Sequence, residues 1–160
     1  MITRTTLFTG ALLSILFVFS TTSCKKCKLS EGNQNNGLIV KDVIIYPQSG
    51  YLTSNLGATM HITGSHAYAD QFEVSFDGGA TRVPVNYGQY SILSNAVSVP
   101  CEASLNRDVS YNSALDFYIY DLSGETCKGC NTERLLENYV LVPAIPNGTQ
   151  IVFEQNVVAK

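Results

Sequence analysis

What most constrains the fold of this chain is the rhythm of its apolar residues. They recur at every second position in short runs, and turn-forming residues break the runs at intervals of roughly 8 to 14 residues. Alternation at period two places apolar side chains on one face of an extended strand and polar ones on the other. Residues 71–76 (QFEVSF) put Phe72, Val74 and Phe76 on one face, and 58–63 (ATMHIT) do the same with Met60 and Ile62. Asp77-Gly78-Gly79 follows the first of these as a turn, since glycine adopts the positive φ of tight hairpins at no steric cost. Residues 81–87 return, with Pro84 marking an edge or bulge because it donates nothing to a sheet ladder.

The same reading gives strands over 38–46, 89–93, 96–103, 114–122, 139–142 and 149–158, with Pro146-Asn147-Gly148 as a hairpin signal before the last. In 114–122 (ALDFYIYDL), Leu115, Phe117 and Ile119 form the expected core face. Residues 131–138 (NTERLLEN) alone suggest a helical turn. The pattern predicts an all-β sandwich of about seven to nine antiparallel strands. The run 72–81 (FEVSFDGGAT) resembles the strand-turn-strand of bacterial immunoglobulin-like and fibronectin-III-like modules, which implies that fold for the domain; the chain has no Trp, the usual core hallmark of immunoglobulin domains. A jelly-roll or small barrel is the alternative.

The start of the chain obeys different rules. Arg4 precedes an almost wholly apolar run, residues 7–19 (LFTGALLSILFVF), and small residues then lead to Cys24. This is the layout of a secretory signal, and the run is shorter than the roughly 20 residues of a spanning helix. Thr21-Thr22-Ser23-Cys24 resembles the lipobox of bacterial lipoproteins, with Thr21 where Leu is common. The resemblance implies cleavage before Cys24, a diacylglyceryl thioether on its sulfur and a bacterial cell-envelope location, with Lys25 in the next position leaning toward the outer membrane. Cys27 is the poorer acceptor, because Lys26 stands where a small residue is needed. One acyl chain holds a protein only marginally, whereas two or three hold it durably. Lys25, Lys26 and Lys28 add attraction to an anionic lipid surface or keep the tether soluble.

The expected organisation is therefore a removed signal over 1–23, a lipidated flexible tether over 24–37 and a β domain over 38–160. Residues 29–37 (LSEGNQNNG) lack any apolar period. The domain carries six Lys or Arg against twelve Asp or Glu, a net of −6, and the acidic residues are scattered. No basic patch offers the counter-charge a phosphate backbone requires, so nucleic acid is not an expected partner. The membrane is the partner that the anchor implies, with envelope proteins or glycans beyond it.

With Cys24 lipidated, Cys27, Cys101, Cys127 and Cys130 remain, an even number. Cys127-Lys128-Gly129-Cys130 admits a structural disulfide, a redox pair or half of a metal site. A redox pair needs a helix N-terminus to depress its first thiol, and the surrounding pattern is β. A haem attachment needs His at position 131, which is Asn131. A zinc site needs a second pair of ligands. Structural disulfide is the default for an exported protein, either within the loop or from the loop to Cys101; the preferred pairing, Cys127 with Cys130, leaves Cys27 and Cys101 to pair or stay free.

Catalytic motifs are missing: there is no G-x-S-x-G, H-E-x-x-H, P-loop or G-x-G-x-x-G. The expectation is a non-enzymatic module with no catalytic residue, no metal and no cofactor other than the lipid on Cys24. His61 and His66 read as an exposed strand residue and a turn residue. Asp70, Glu73, Asp77, Asp116 and Asp121 lack the spacing of a calcium loop. The nine tyrosines are the richer signal. Tyr118 with Tyr120, and Tyr87 with Tyr90, suit either a ligand surface or cross-strand packing, because tyrosine joins apolar area to a polar tip.

Overall fold

The computed structural model describes residues 29, 34–55, 57–100, 102–127 and 133–160. Among them are ten strands: β1 Gln34–Gly37, β2 Ile44–Pro47, β3 Met60–Ile62, β4 Phe72–Ser75, β5 Val83–Pro84, β6 Tyr90–Val99, β7 Ala103–Asn112, β8 Phe117–Thr126, β9 Arg134–Pro143 and β10 Ile151–Ala159. One short helix, α1 Ser49–Asn55, and a single 3-10 turn, Ala69–Gln71, complete the elements. The strands form three sheets in the orders β1-β7-β8-β10, β2-β4-β5 and β3-β6-β9.

The third sheet is the middle layer. Leu93, Val140 and Val142 meet Val109 and Tyr120 of the four-stranded sheet on one side. Ile62, Ile92 and Leu141 meet Phe72 and Val74 of the small sheet and Tyr51 of α1 on the other. Adjacent residues Ile92 and Leu93 are thus both 0% exposed, which a two-sided strand requires. Burial of such side chains stabilises by about 1.5–3 kcal/mol each. A third cluster, Val97, Val99, Leu105 and Leu122, closes the far end between the middle and four-stranded sheets.

Polar residues within β6 are matched. Ser91 Oγ accepts from the Ile145 N–H at 3.0 Å, and Ser94 Oγ donates to the Ala58 carbonyl at 3.3 Å. Asn95 Nδ2 donates to the Glu154 carbonyl at 3.4 Å, while its Oδ1 accepts from Gln155 Nε2 at 2.8 Å. These last bonds stitch β10 onto the middle sheet and limit its free edge.

An all-β protein is what the alternation implied, and several finer expectations are corrected. Two pairings are parallel, β1 with β7 and β8 with β10, so the strands are not all antiparallel. Four residues of the expected tether are β1. Residues 134–138, read as part of a helical turn, belong to β9 because β6 pairs with them throughout. The stretch 38–46 is broken by Asp42 at φ 57 and only its end is strand. Pro146-Asn147-Gly148 is a turn, with the Thr149 N–H on the Pro146 carbonyl at 3.2 Å, yet it joins β9 and β10 in different sheets and makes no hairpin. In β8 the core face is the opposite one: Tyr120 and Leu122 are fully buried, and Leu115 is 68% exposed in the turn. Phe76 is also exposed, since β4 ends at Ser75.

Candidate functional site

The segment 38–43 leaves the edge of the four-stranded sheet and crosses to the middle sheet. Leu38 N–H donates to the Val109 carbonyl, and two residues on Val40 N–H donates to the Leu141 carbonyl, both at 2.8 Å. Beneath this crossing lies a cavity of about 250 Å³, walled by Ile39, Val43 and Ile45 from the crossing and β2, by Leu141 and Glu137 from β9, and by Asn35 and Arg107. Ligand pockets are typically about 300–1,000 Å³, so this one suits a small guest or part of a larger one.

Arg107 is placed by the alternation of β7. Leu105 and Val109, two residues to either side, are buried, and its partner across the pair, Leu122, is 0% exposed. Arg107 therefore lies on the inner face of the sheet. Its Nε is buried without a hydrogen-bond partner. Among the described residues no carboxylate stands within ion-pair distance of it. Asn35 is its register partner on β1, and Asn35 Oδ1 is likewise buried and unpaired. Burial pushes the Tyr120 hydroxyl above the usual phenol range, and the positive charge of Arg107 works in the opposite direction.

Glu137 shares the cavity wall but is already engaged. One oxygen accepts from the Gly57 N–H at 2.6 Å and the other from the Tyr139 hydroxyl at 3.0 Å. Burial, and after it this bond to Glu137, raise the pKa of Tyr139. The cavity thus presents a half-buried arginine with an unpaired Nε, an unpaired amide oxygen, a held carboxylate and a largely aliphatic wall. Tyr139, the partner of Glu137, also lines the cavity, and no group of three metal-ligating side chains occurs among the described residues.

The residues singled out from the sequence lie elsewhere. Tyr120 is 0% exposed and its hydroxyl donates to the Asn138 carbonyl at 3.3 Å. Tyr118 packs on Tyr111 with ring centroids 4.8 Å apart and leans on the first core cluster. Tyr87 donates to the Ala69 carbonyl at 3.0 Å, and burial pushes its pKa up to about 12. Tyr90 sits 6.0 Å from Phe76. All four contribute to packing, and the inward pair Tyr118 and Tyr120 forms no open platform.

His61 is half-buried with its Nε2 unpaired, and burial followed by the charge of His66 lowers its pKa. Asp77 accepts from Ser75 Oγ at 2.6 Å and the Thr81 N–H at 2.9 Å, which hold its pKa at about 2 and make it the clasp of its turn. Asp116 accepts from the Tyr111 hydroxyl at 2.7 Å. Cys127, 7% exposed, follows β8 with its N–H on the Glu102 carbonyl at 3.2 Å, and it is engaged rather than free. Cys24, Cys27, Cys101 and Cys130 lie outside the described residues.

Arg107 and Asn35 escaped sequence reasoning. The signal was present in 105–111 (LNRDVSY), where Leu105, Val109 and Tyr111 alternate around an arginine in an apolar register. Comparison of the chain with protein families, curated proteins and solved structures finds no match.

Proposed function

We propose that this protein is a lipid-anchored component of a bacterial cell envelope, held at the membrane through Cys24, whose β domain is a non-enzymatic module that binds a small ligand. The observation that carries the binding reading is the unpaired Arg107 Nε and Asn35 Oδ1 facing one cavity. The anchor reading rests on the apolar run 7–19 and on Ser23-Cys24. In this reading the middle and four-stranded sheets make an immunoglobulin-like sandwich, and the small sheet with α1 is added to its outer face. Cys127 takes part in a structural disulfide; its burial and engagement support that role over a redox one, which needs an exposed thiolate.

The anchor is tested by fractionation with palmitate labelling. The wild-type chain is expected in the membrane fraction with label, and Cys24→Ala is expected to lose both. A labelled, membrane-bound Cys24→Ala protein would overturn the anchor. The binding reading is tested by recovering the anchored protein from envelopes and identifying small molecules that wild type retains and Arg107→Gln does not.

A further inference from the structure

Resting on the binding reading above, we infer that the cavity between β1, β7 and β9 selects a monocarboxylate with a short aliphatic body, its carboxylate paired with Arg107. A buried polar atom without a partner costs free energy. In this protein Arg107 Nε and Asn35 Oδ1 are both unpaired, are register partners and line the same space. The guanidinium is the group best shaped to receive a carboxylate.

Glu137 does not fill that role. It shares the cavity, but its two oxygens are held by the Gly57 N–H and the Tyr139 hydroxyl. The fixed carboxylate also repels a second negative charge placed near β9, so it favours a guest with one anionic head at the Arg107 end. Apart from Tyr139, whose hydroxyl is taken by Glu137, the rest of the wall is aliphatic, with Ile39, Val43, Ile45 and Leu141 among it, and matches a hydrocarbon body. Asn35 Oδ1 is left to accept from any hydroxyl or amide N–H beside the head group.

The test uses the full lipidated chain in nanodiscs with methyl-labelled Ile, Leu and Val. Hexanoate is titrated against hexanol and hexylamine, with empty nanodiscs subtracted. Saturable shifts of the Ile39 and Leu141 methyls with hexanoate, and none with the other two, are expected. Arg107→Gln should weaken the response by about 10- to 100-fold, the loss of one charge-assisted hydrogen bond, and Arg107→Lys should keep part of it. Unchanged methyl signals in the small sheet and an unchanged Tm certify that each variant is folded. Hexanol binding as well as hexanoate, undiminished binding by folded Arg107→Gln, or no saturable shift would each overturn the inference. Those failures leave the envelope retention experiment untouched, so the ligand class and the binding reading fall separately.

Discussion

Strand β6 of the middle sheet and strand β7 of the four-stranded sheet treat inward-facing polar groups in opposite ways. On β6, Ser91, Ser94 and Asn95 are almost wholly buried, and each finds a protein partner. On β7, Arg107 faces inward and finds none, and neither does Asn35 beside it. The first arrangement costs little, because every desolvated group regains a hydrogen bond. The second leaves a cost in the folded chain that a guest can relieve.

The sharpest break of this comparison starts from the layer between the two. Leu141 touches the small-sheet core and also lines the cavity. Leu141→Ala is expected to destabilise by about 2–5 kcal/mol in urea unfolding. A loss below about 1 kcal/mol would mean that the middle sheet is not the centre of the core.

Gly37 comes next. Its φ is +66°, and an added Cβ would fall 2.2 Å from the Val109 carbonyl oxygen. Gly37→Ala should cost roughly 1–3 kcal/mol and should loosen β1 selectively. Hydrogen exchange is expected to quicken at the Leu38 amide and stay slow within β6.

The direct contrast pairs two milder changes. Ser91→Ala leaves the Ile145 N–H buried without its acceptor and should cost about 1–3 kcal/mol. Arg107→Met removes an unpaired cation and fills the same space with hydrocarbon, so Tm should hold or rise. A clear fall in Tm for Arg107→Met would erase the distinction between the strands.

The smallest effect is one of pH. His61 has a lowered pKa in the fold, so the unfolded chain binds the proton more readily. The stability this site confers is complete above the unfolded value of about 6.5 and declines as pH falls below it. His61→Gln should flatten that part of a Tm-against-pH curve.

Period-two alternation made the β class and several strands legible, because one-sided burial writes itself into the sequence as Met60/Ile62 and Phe72/Val74. It failed where burial is two-sided or interrupted. β6 has Ile92 and Leu93 in opposite cores, so its run lacked alternation and was divided into two short strands. β7 is not legible beyond Ala103, since Arg107 stands at an inward position where the pattern calls for an apolar residue. β1 was read as tether because Gln34–Gly37 owe their conformation to a neighbour 72 positions away, Gln34 against Asn106, and to nothing in their own composition. The inversion of β8 has a similar cause: tyrosine counts as amphipathic, and inside the core the Tyr120 hydroxyl meets the Asn138 carbonyl while its ring packs with Val109 and Phe153.

That β1 contact also bears on how the molecule comes together. β7 and β8 are joined by a turn of four residues, 113–116, and meet early along any route. Closing β1 on β7 requires bringing together the most distant partners of any strand pairing here, and long loops are slow to close. One wall of the cavity therefore depends on the contact that topology makes slowest, using residues at the very border of the domain. A chain trimmed by proteolysis just past Gly37 would lose Asn35 and bare the β7 edge, while the middle sheet kept all its strand partners. In the proposed reading, how far the N-terminus is trimmed sets whether the cavity keeps its β1 wall and Asn35.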